Sequence, residues 1–130
     1  MRTHAETEEL RQQQQVLIDA QKTLAQRNAM GQFATPPALA TEIAEYVREL
    51  WGNRRSGIRF LEPALGTGSF FSALLHVFPE HLEAACGVEI DPVFAEAARH
   101  LWEPFGLRVI CDDFTRLAPP EDEAGRYNLI

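Results

Sequence analysis

The chain has 130 residues, of which 45% are hydrophobic and 24% charged, with a formal net charge of −7. This is enough for one small domain and too little for two, and no apolar run approaches the roughly eighteen residues of a membrane-spanning helix. Cys86 and Cys111 are too few and too far apart for a disulfide framework or a zinc ribbon, and an acidic chain with Lys22 as its only lysine is a poor main grip on phosphates. The N-terminus lacks the apolar core of a secretory signal, so a soluble, cytoplasmic protein with no membrane partner is expected.

Residues 1–30 read as one polar helix or arm. The run Gln12-Gln13-Gln14-Gln15 has good helix propensity, and Leu10, Leu17, Ala20 and Leu24 share a thin apolar stripe. Such a stripe docks on a partner or on the domain behind it, and a free arm fits the same pattern. Gly31 suits a C-terminal cap. Residues 31–130 form the second unit. Thr35-Pro36-Pro37 opens a helix, with Thr35 as cap and Pro36 at the first helical position. Leu39, Ile43, Val47 and Leu50 form its apolar face. Residues 58–61 read as a strand, residues 62–68 as a loop, and residues 69–78 as a helix with Phe70, Leu74, Val77 and Phe78 inward. A second strand spans residues 85–90, and Asp91 then caps a helix that Pro92 opens and that runs to about Trp102. Residues 107–111 are a third strand, and residues 127–130 begin a fourth after a polar connection. Strands alternating with helices imply βαβ units and a parallel sheet with covered faces.

The chemistry lies where the first strand meets the second. Glu62 ends one strand and Glu89 the next, with Gly66 and Gly68 in the loop between them. Gly68 and Glu89 are twenty-one residues apart, close to the offset at which doubly wound folds place a ribose-binding acid. The glycines let backbone approach a ligand, and a carboxylate at the end of the neighbouring strand reaches the same crevice, where it accepts from ribose hydroxyls. A dinucleotide fingerprint would carry a third glycine where Phe71 stands, and Glu62 beside the loop would repel a pyrophosphate. A cationic ligand fits better: an amino acid bearing an ammonium and a sulfonium, as in S-adenosylmethionine. The plainer reading of the glycines is a tight turn. His4, His76, His81 and His100 show no metal-ligand spacing. Cys86 and Cys111 read as small buried apolar residues, and Trp51 and Trp102 as packing groups at helix ends. Arg54-Arg55 reads as a solvated turn.

The run Glu62-Pro63-Ala64-Leu65-Gly66-Thr67-Gly68 resembles the first motif of methyltransferases, with Leu65 where cysteine is common. Gly31-Gln32-Phe33-Ala34-Thr35-Pro36 is similar to the G-x-F/Y-x-T-P segment upstream of that motif in adenine-specific DNA methyltransferases of restriction-modification systems. Gly87-Val88-Glu89-Ile90-Asp91-Pro92 resembles their second motif, Asp112-Asp113-Phe114 the third, and Tyr127-Asn128-Leu129-Ile130 the strand that leads to the catalytic N-P-P-Y/F. The resemblance spans about residues 30–130 in family order. It implies a Rossmann-like α/β class I methyltransferase fold, here as the first four strands of a parallel sheet with an N-terminal helical extension. It also implies S-adenosyl-L-methionine as cofactor.

Residue by residue, the resemblance places Thr35 at the methionine end. It gives the amino-acid moiety to Glu62 and the backbone around Ala64, Gly66 and Gly68, and the ribose to Glu89. Ile90 and Phe114 would pack on the adenine, and Asp113, or its neighbour Asp112, would bind the adenine amine. No N-P-P-Y/F occurs in residues 1–130, so no catalytic residue is assigned and the domain reads as truncated before that motif. The expected function is the cofactor-binding portion of an adenine-specific DNA methyltransferase in restriction-modification or phage defence, inactive by itself. DNA would be engaged through regions outside these residues, with specificity or restriction subunits as partners. The alternatives are a class I methyltransferase acting on protein, RNA or a small molecule, and a non-catalytic binding module.

Overall fold

The computed structural model describes residues 1–130. Its elements run α1 (His4–Ala20), α2 (Leu24–Met30), α3 (Pro37–Trp51), β1 (Ile58–Glu62), α4 (Ser69–Val77), β2 (Leu82–Glu89), α5 (Pro92–Trp102) and β3 (Leu107–Cys111). The single N-terminal helix expected from the sequence is two helices. A capping box at Thr23 and Gln26 starts α2 afresh, each side chain bonding the other's backbone N–H. A matching box at Thr3 and Glu6 opens α1, and Gly31 ends α2 in the left-handed conformation at φ 63°. The arm is docked, not free, and of the expected stripe only Leu10 packs on the core. Thr7, Arg11 and Ile18 are its buried residues, whereas Leu17 and Leu24 are exposed.

The three strands are parallel in the order β1-β2-β3, with Phe60 opposite Ala85 and Gly87 opposite Val109. On the far side of β1 the expected fourth strand is reduced to one parallel bridge, Phe60 to Leu129. The Arg59 carbonyl there accepts from both Asn128 and Leu129, and the Asn128 side chain ties itself to Arg59 N and Gly57 O, so Leu129 alone enters the ladder.

One core joins the sheet to α3, α4 and α5. It contains Ile58, Phe60, Leu107 and Val109 from the strands, with Ala44, Phe71, Leu74, Ala98 and Trp102 from the helices. Phe71 and Trp102 meet edge to face at 5.7 Å between centroids. Both crossovers step the same way along the sheet. Right-handed crossovers that do so land their helices on one face. The expectation that helices cover both faces is therefore corrected: alternate residues such as Arg59, Leu61, Arg108 and Ile110 stand outside that core.

Helix α3 also differs from expectation. Pro36, not Thr35, occupies the cap, with Pro37 first in the helix and no side-chain cap bond. Its buried residues are Ala40, Ala44 and Trp51, while Leu39, Ile43 and Leu50 stay exposed. Small alanines let α3 lie close to its neighbour; of the expected apolar face only Val47 packs on the core, and Leu39, Ile43 and Leu50 are turned outward. Helix α5 matches its expected start and end, with Asp91 accepting from Val93 N. Cys86 is buried as expected, but Cys111, at the end of β3, is exposed.

Candidate functional site

The loop from β1 to α4 is shaped by two left-handed glycines, Gly66 at φ 59° and Gly68 at φ 93°. They serve different ends. A Cβ on Gly68 would stand 2.6 Å from the Trp102 indole nitrogen, so this glycine allows the loop to seat on α5. A Cβ on Gly66 would meet nothing within 4 Å, so that side of the loop stays open. The loop is pinned from beneath: Leu65 N–H donates to Val88 O at 2.9 Å, and the Trp102 indole N–H donates to Thr67 O at 2.8 Å.

Glu89 ends β2 beside this open edge and is only 9% exposed. Its carboxylate accepts from Gly66 N–H at 2.8 Å and from Asp91 N–H at 2.9 Å. An ionised carboxylate has about four acceptor directions, so two fixed backbone donors orient Glu89 and leave it able to take hydroxyl donors. Asp91 turns away to bind the arm. Its Oδ2 accepts from Lys22 Nζ at 2.6 Å and from Gln32 Nε2 at 2.7 Å. Burial pushes the Asp91 carboxyl up, but the bonds from Lys22 and Gln32 outweigh this and hold it below the usual carboxylate range.

A cleft of about 270 Å³ opens over the loop. Of the residues singled out from the sequence, Thr35, Ala64, Gly66, Glu89, Ile90, Asp113 and Phe114 line it together. Ile90 and Phe114 are 51% and 42% exposed, which leaves apolar walls for a flat ring. Glu62 and Gly68 do not line the cleft. Glu62 sits in the adjoining apolar groove with Ile43, Phe60 and Leu74, where its Oε1 accepts from Ala64 N–H at 3.2 Å. Burial raises the Glu62 carboxyl above its ordinary value; the Ala64 bond opposes this, and the negative charge of Glu89 adds to it. The two acids are thus close enough to feel each other.

Asp112 and Asp113 both reach the cleft. Asp113 Oδ1 is held by the backbone and hydroxyl of Thr115, the side-chain bond first among the causes that lower its pKa. Asp112 Oδ1 accepts from Asp113 N–H at 2.7 Å. Thr35 contributes through its backbone as well, its carbonyl accepting from the Ser69 hydroxyl at 3.0 Å. The upstream segment is thereby fastened to the first residue of α4.

Sequence reasoning missed several lining residues: Gln15, Gln32, Phe33 and Phe94. Phe33 carries the Arg27 guanidinium over its ring at 4.9 Å. It lies inside the segment 31–36 that the sequence had marked, so that signal was at hand. Gln15 lies in a uniform glutamine run, which carries no periodic mark. No group of three or more His, Cys, Asp or Glu side chains is arranged to hold a metal ion.

No family model matches the chain. Solved structures share its fold, among them the following two. One is a candidate class I S-adenosylmethionine-dependent methyltransferase of Listeria monocytogenes, 16% identical, with a TM-score of 0.58 over 88% of this chain and 36% of that one. The other is a candidate RNA methyltransferase of Pyrococcus horikoshii, 19% identical, with a TM-score of 0.56 over 67% of this chain and 43% of that one. The fold is the Rossmann-like class I methyltransferase fold. The chain spans less than half the length of either structure. No helix of it is long and apolar enough to cross a membrane.

Proposed function

We propose that residues 1–130 are the S-adenosylmethionine-binding part of a methyltransferase that acts on the exocyclic amine of adenine in DNA, in a restriction-modification or related phage-defence system. The observation that carries the cofactor reading is the pairing of Gly66 with Glu89. The amide that a ligand would approach is the one that orients the carboxylate, and the space above it is open. Glu89 accepts from the ribose hydroxyls, Ile90 and Phe114 flank the adenine, and Asp113, or its neighbour Asp112, takes its amine. Thr35 and the backbone at Ala64 and Gly66 face the amino-acid end. Glu62 and Gly68 act from just outside the cleft, Glu62 by its charge and Gly68 by seating the loop on Trp102.

The cofactor supplies an electrophilic methyl group on a sulfonium. These residues bind and orient it, and the negative field of Glu62 and Glu89 suits its cationic end better than a pyrophosphate. Base extrusion and capture of the target amine call for groups outside the cleft described here, since residues 1–130 contain no N-P-P-Y/F. The adenine-DNA reading rests on Gly31-Gln32-Phe33-Ala34-Thr35-Pro36, which contributes Gln32, Phe33 and Thr35 to the cleft wall. DNA and specificity or restriction subunits are its proposed partners, and the cytoplasm its proposed location. RNA is the competing substrate, given the name carried by the Pyrococcus horikoshii neighbour.

Calorimetric titration with S-adenosylmethionine tests the cleft. Saturable binding is expected, and Glu89→Ala weakens it by about 1–3 kcal/mol through loss of charge-assisted hydrogen bonds. Equal affinity of variant and parent would overturn the ribose assignment. Transfer of tritiated methyl to duplex DNA rather than structured RNA by the protein carrying these residues, with N6-methyladenine as product, tests the substrate. Label appearing in RNA instead would replace DNA by RNA.

A further inference from the structure

We propose that helix α1 sets the conformation of the glycine loop through Thr67, which makes Arg11 and Gln15 positioning residues for whatever occupies the cleft. The proposal rests on the reading above, that the cofactor binds over this loop. Thr67 lies between the two glycines and is 1% exposed, although threonine is polar. Its hydroxyl is used twice by the arm. It accepts from Arg11 Nη1 at 3.1 Å and donates to Gln15 Oε1 at 2.8 Å. Its carbonyl is held from the other side by the Trp102 indole. A buried hydroxyl whose donor and acceptor are both engaged cannot shift without orphaning one of them.

Arg11 is itself locked. It is 2% exposed and grips Glu8 through Nε and Nη2, each at 2.7 Å. Glu8 also accepts from the Ser72 hydroxyl on α4 at 2.6 Å and from Gln12 at 3.0 Å. A buried ion pair is a weak source of stability, but it admits few docking registers. The register it admits here places Gln15, oriented by Asp19 at 3.1 Å, at the edge of the cleft. The arm has a second anchor behind Glu89, where Lys22 binds Asp91, whose own N–H holds Glu89. Both groups that define the cleft, the glycine loop and the Glu89 carboxylate, are therefore tied to residues 1–30. Docking of the arm and occupation of the cleft are linked, and linkage is reciprocal.

Thr67→Val keeps the shape and removes the hydroxyl; Thr67→Ser keeps the hydroxyl; Gln15→Ala, at a half-buried position, perturbs the same link with less risk to folding. The readouts are S-adenosylmethionine affinity and amide hydrogen exchange across residues 4–20, with and without ligand. Thr67→Val is expected to lose about tenfold in affinity, as for a lost buried hydrogen-bonded pair, with Thr67→Ser restoring it and Gln15→Ala falling between. In the parent, ligand slows exchange in α1, and without ligand Thr67→Val speeds it. Parent-like affinity in both Thr67→Val and Gln15→Ala, or α1 exchange indifferent to ligand, would overturn the proposal. A parent that binds no S-adenosylmethionine would overturn the cofactor reading instead, and the exchange of α1 in unliganded Thr67→Val would then decide the link alone.

Discussion

The two faces of the sheet are built to different standards. On one, β1 and β3 send Ile58, Phe60, Leu107 and Val109 into a single core with three helices. On the other, the outer-strand residues Arg59, Leu61, Arg108 and Ile110 are half-buried or exposed, and burial is confined to Cys86 and Val88 of the middle strand. The contrast separates what holds the cleft from what merely borders it. Every hydrogen bond that fixes the glycine loop from outside itself comes from β2 or from the helical side: Trp102 on α5, and Arg11 and Gln15 on α1. The cleft is therefore a product of the covered face.

The largest effect that would break this contrast is at Trp102. Its side chain is fully buried, packs on Phe71 and Phe105, and supplies the loop's indole bond. Trp102→Ala is expected to cost about 3–5 kcal/mol, the usual range for emptying a large aromatic site. Denaturant unfolding measures it, and a loss below about 1 kcal/mol, the size of an ordinary substitution, would mean that the core does not organise the loop.

A smaller effect of opposite sign is expected at Glu62. Its carboxyl is raised by burial, against the Ala64 bond and reinforced by Glu89. A carboxyl whose folded pKa lies above its unfolded value favours the folded state only while protonated, and that contribution is lost as pH rises through the folded value. At neutral pH the ionised group therefore opposes folding. Glu62→Gln should raise the melting temperature of the unliganded protein at pH 7 and lose this advantage at pH 4. The same change should weaken binding of a cationic ligand. A variant that is less stable at pH 7 would show that Glu62 is a structural acid with no strain to release.

Much of this was legible beforehand, and the reason is local. Asp91-Pro92 carries its own cap and its own first-turn proline, so α5 needs no tertiary information to declare its start. Glu89 follows from strand-end spacing, and Gly31 from a helix that must stop. The illegible parts are settled between elements. Leu39 and Ile43 have the right period for a buried face, but Ala40 and Ala44 share nearly the same turn, and only the approach of α4 decides between them. The break at Thr23 is written as a T-x-x-Q box inside a polar run, where no change of composition marks it. Thr67, Arg11 and Gln15 meet across more than fifty residues, and polar contacts of that kind leave no periodicity to read. Glu62 was placed correctly in the chain, but its side chain points into the groove beside the cleft.

The least effect is expected at Arg108, on the face without helices. It is exposed and lies between Leu107 and Val109, two members of the core. Arg108→Ala should stay within about 0.5 kcal/mol of the parent, as surface substitutions do, while the same change one residue away would open a cavity. Its remaining influence is electrostatic. Burial raises the Tyr127 phenol, Cys86 adds to this, and Arg108 with Arg59 opposes it. Removing Arg108 should therefore move the ultraviolet titration of Tyr127 further up with stability at pH 7 unchanged. A marked loss of stability would show that this face is packed after all, and the distinction between the two sides of the sheet would dissolve.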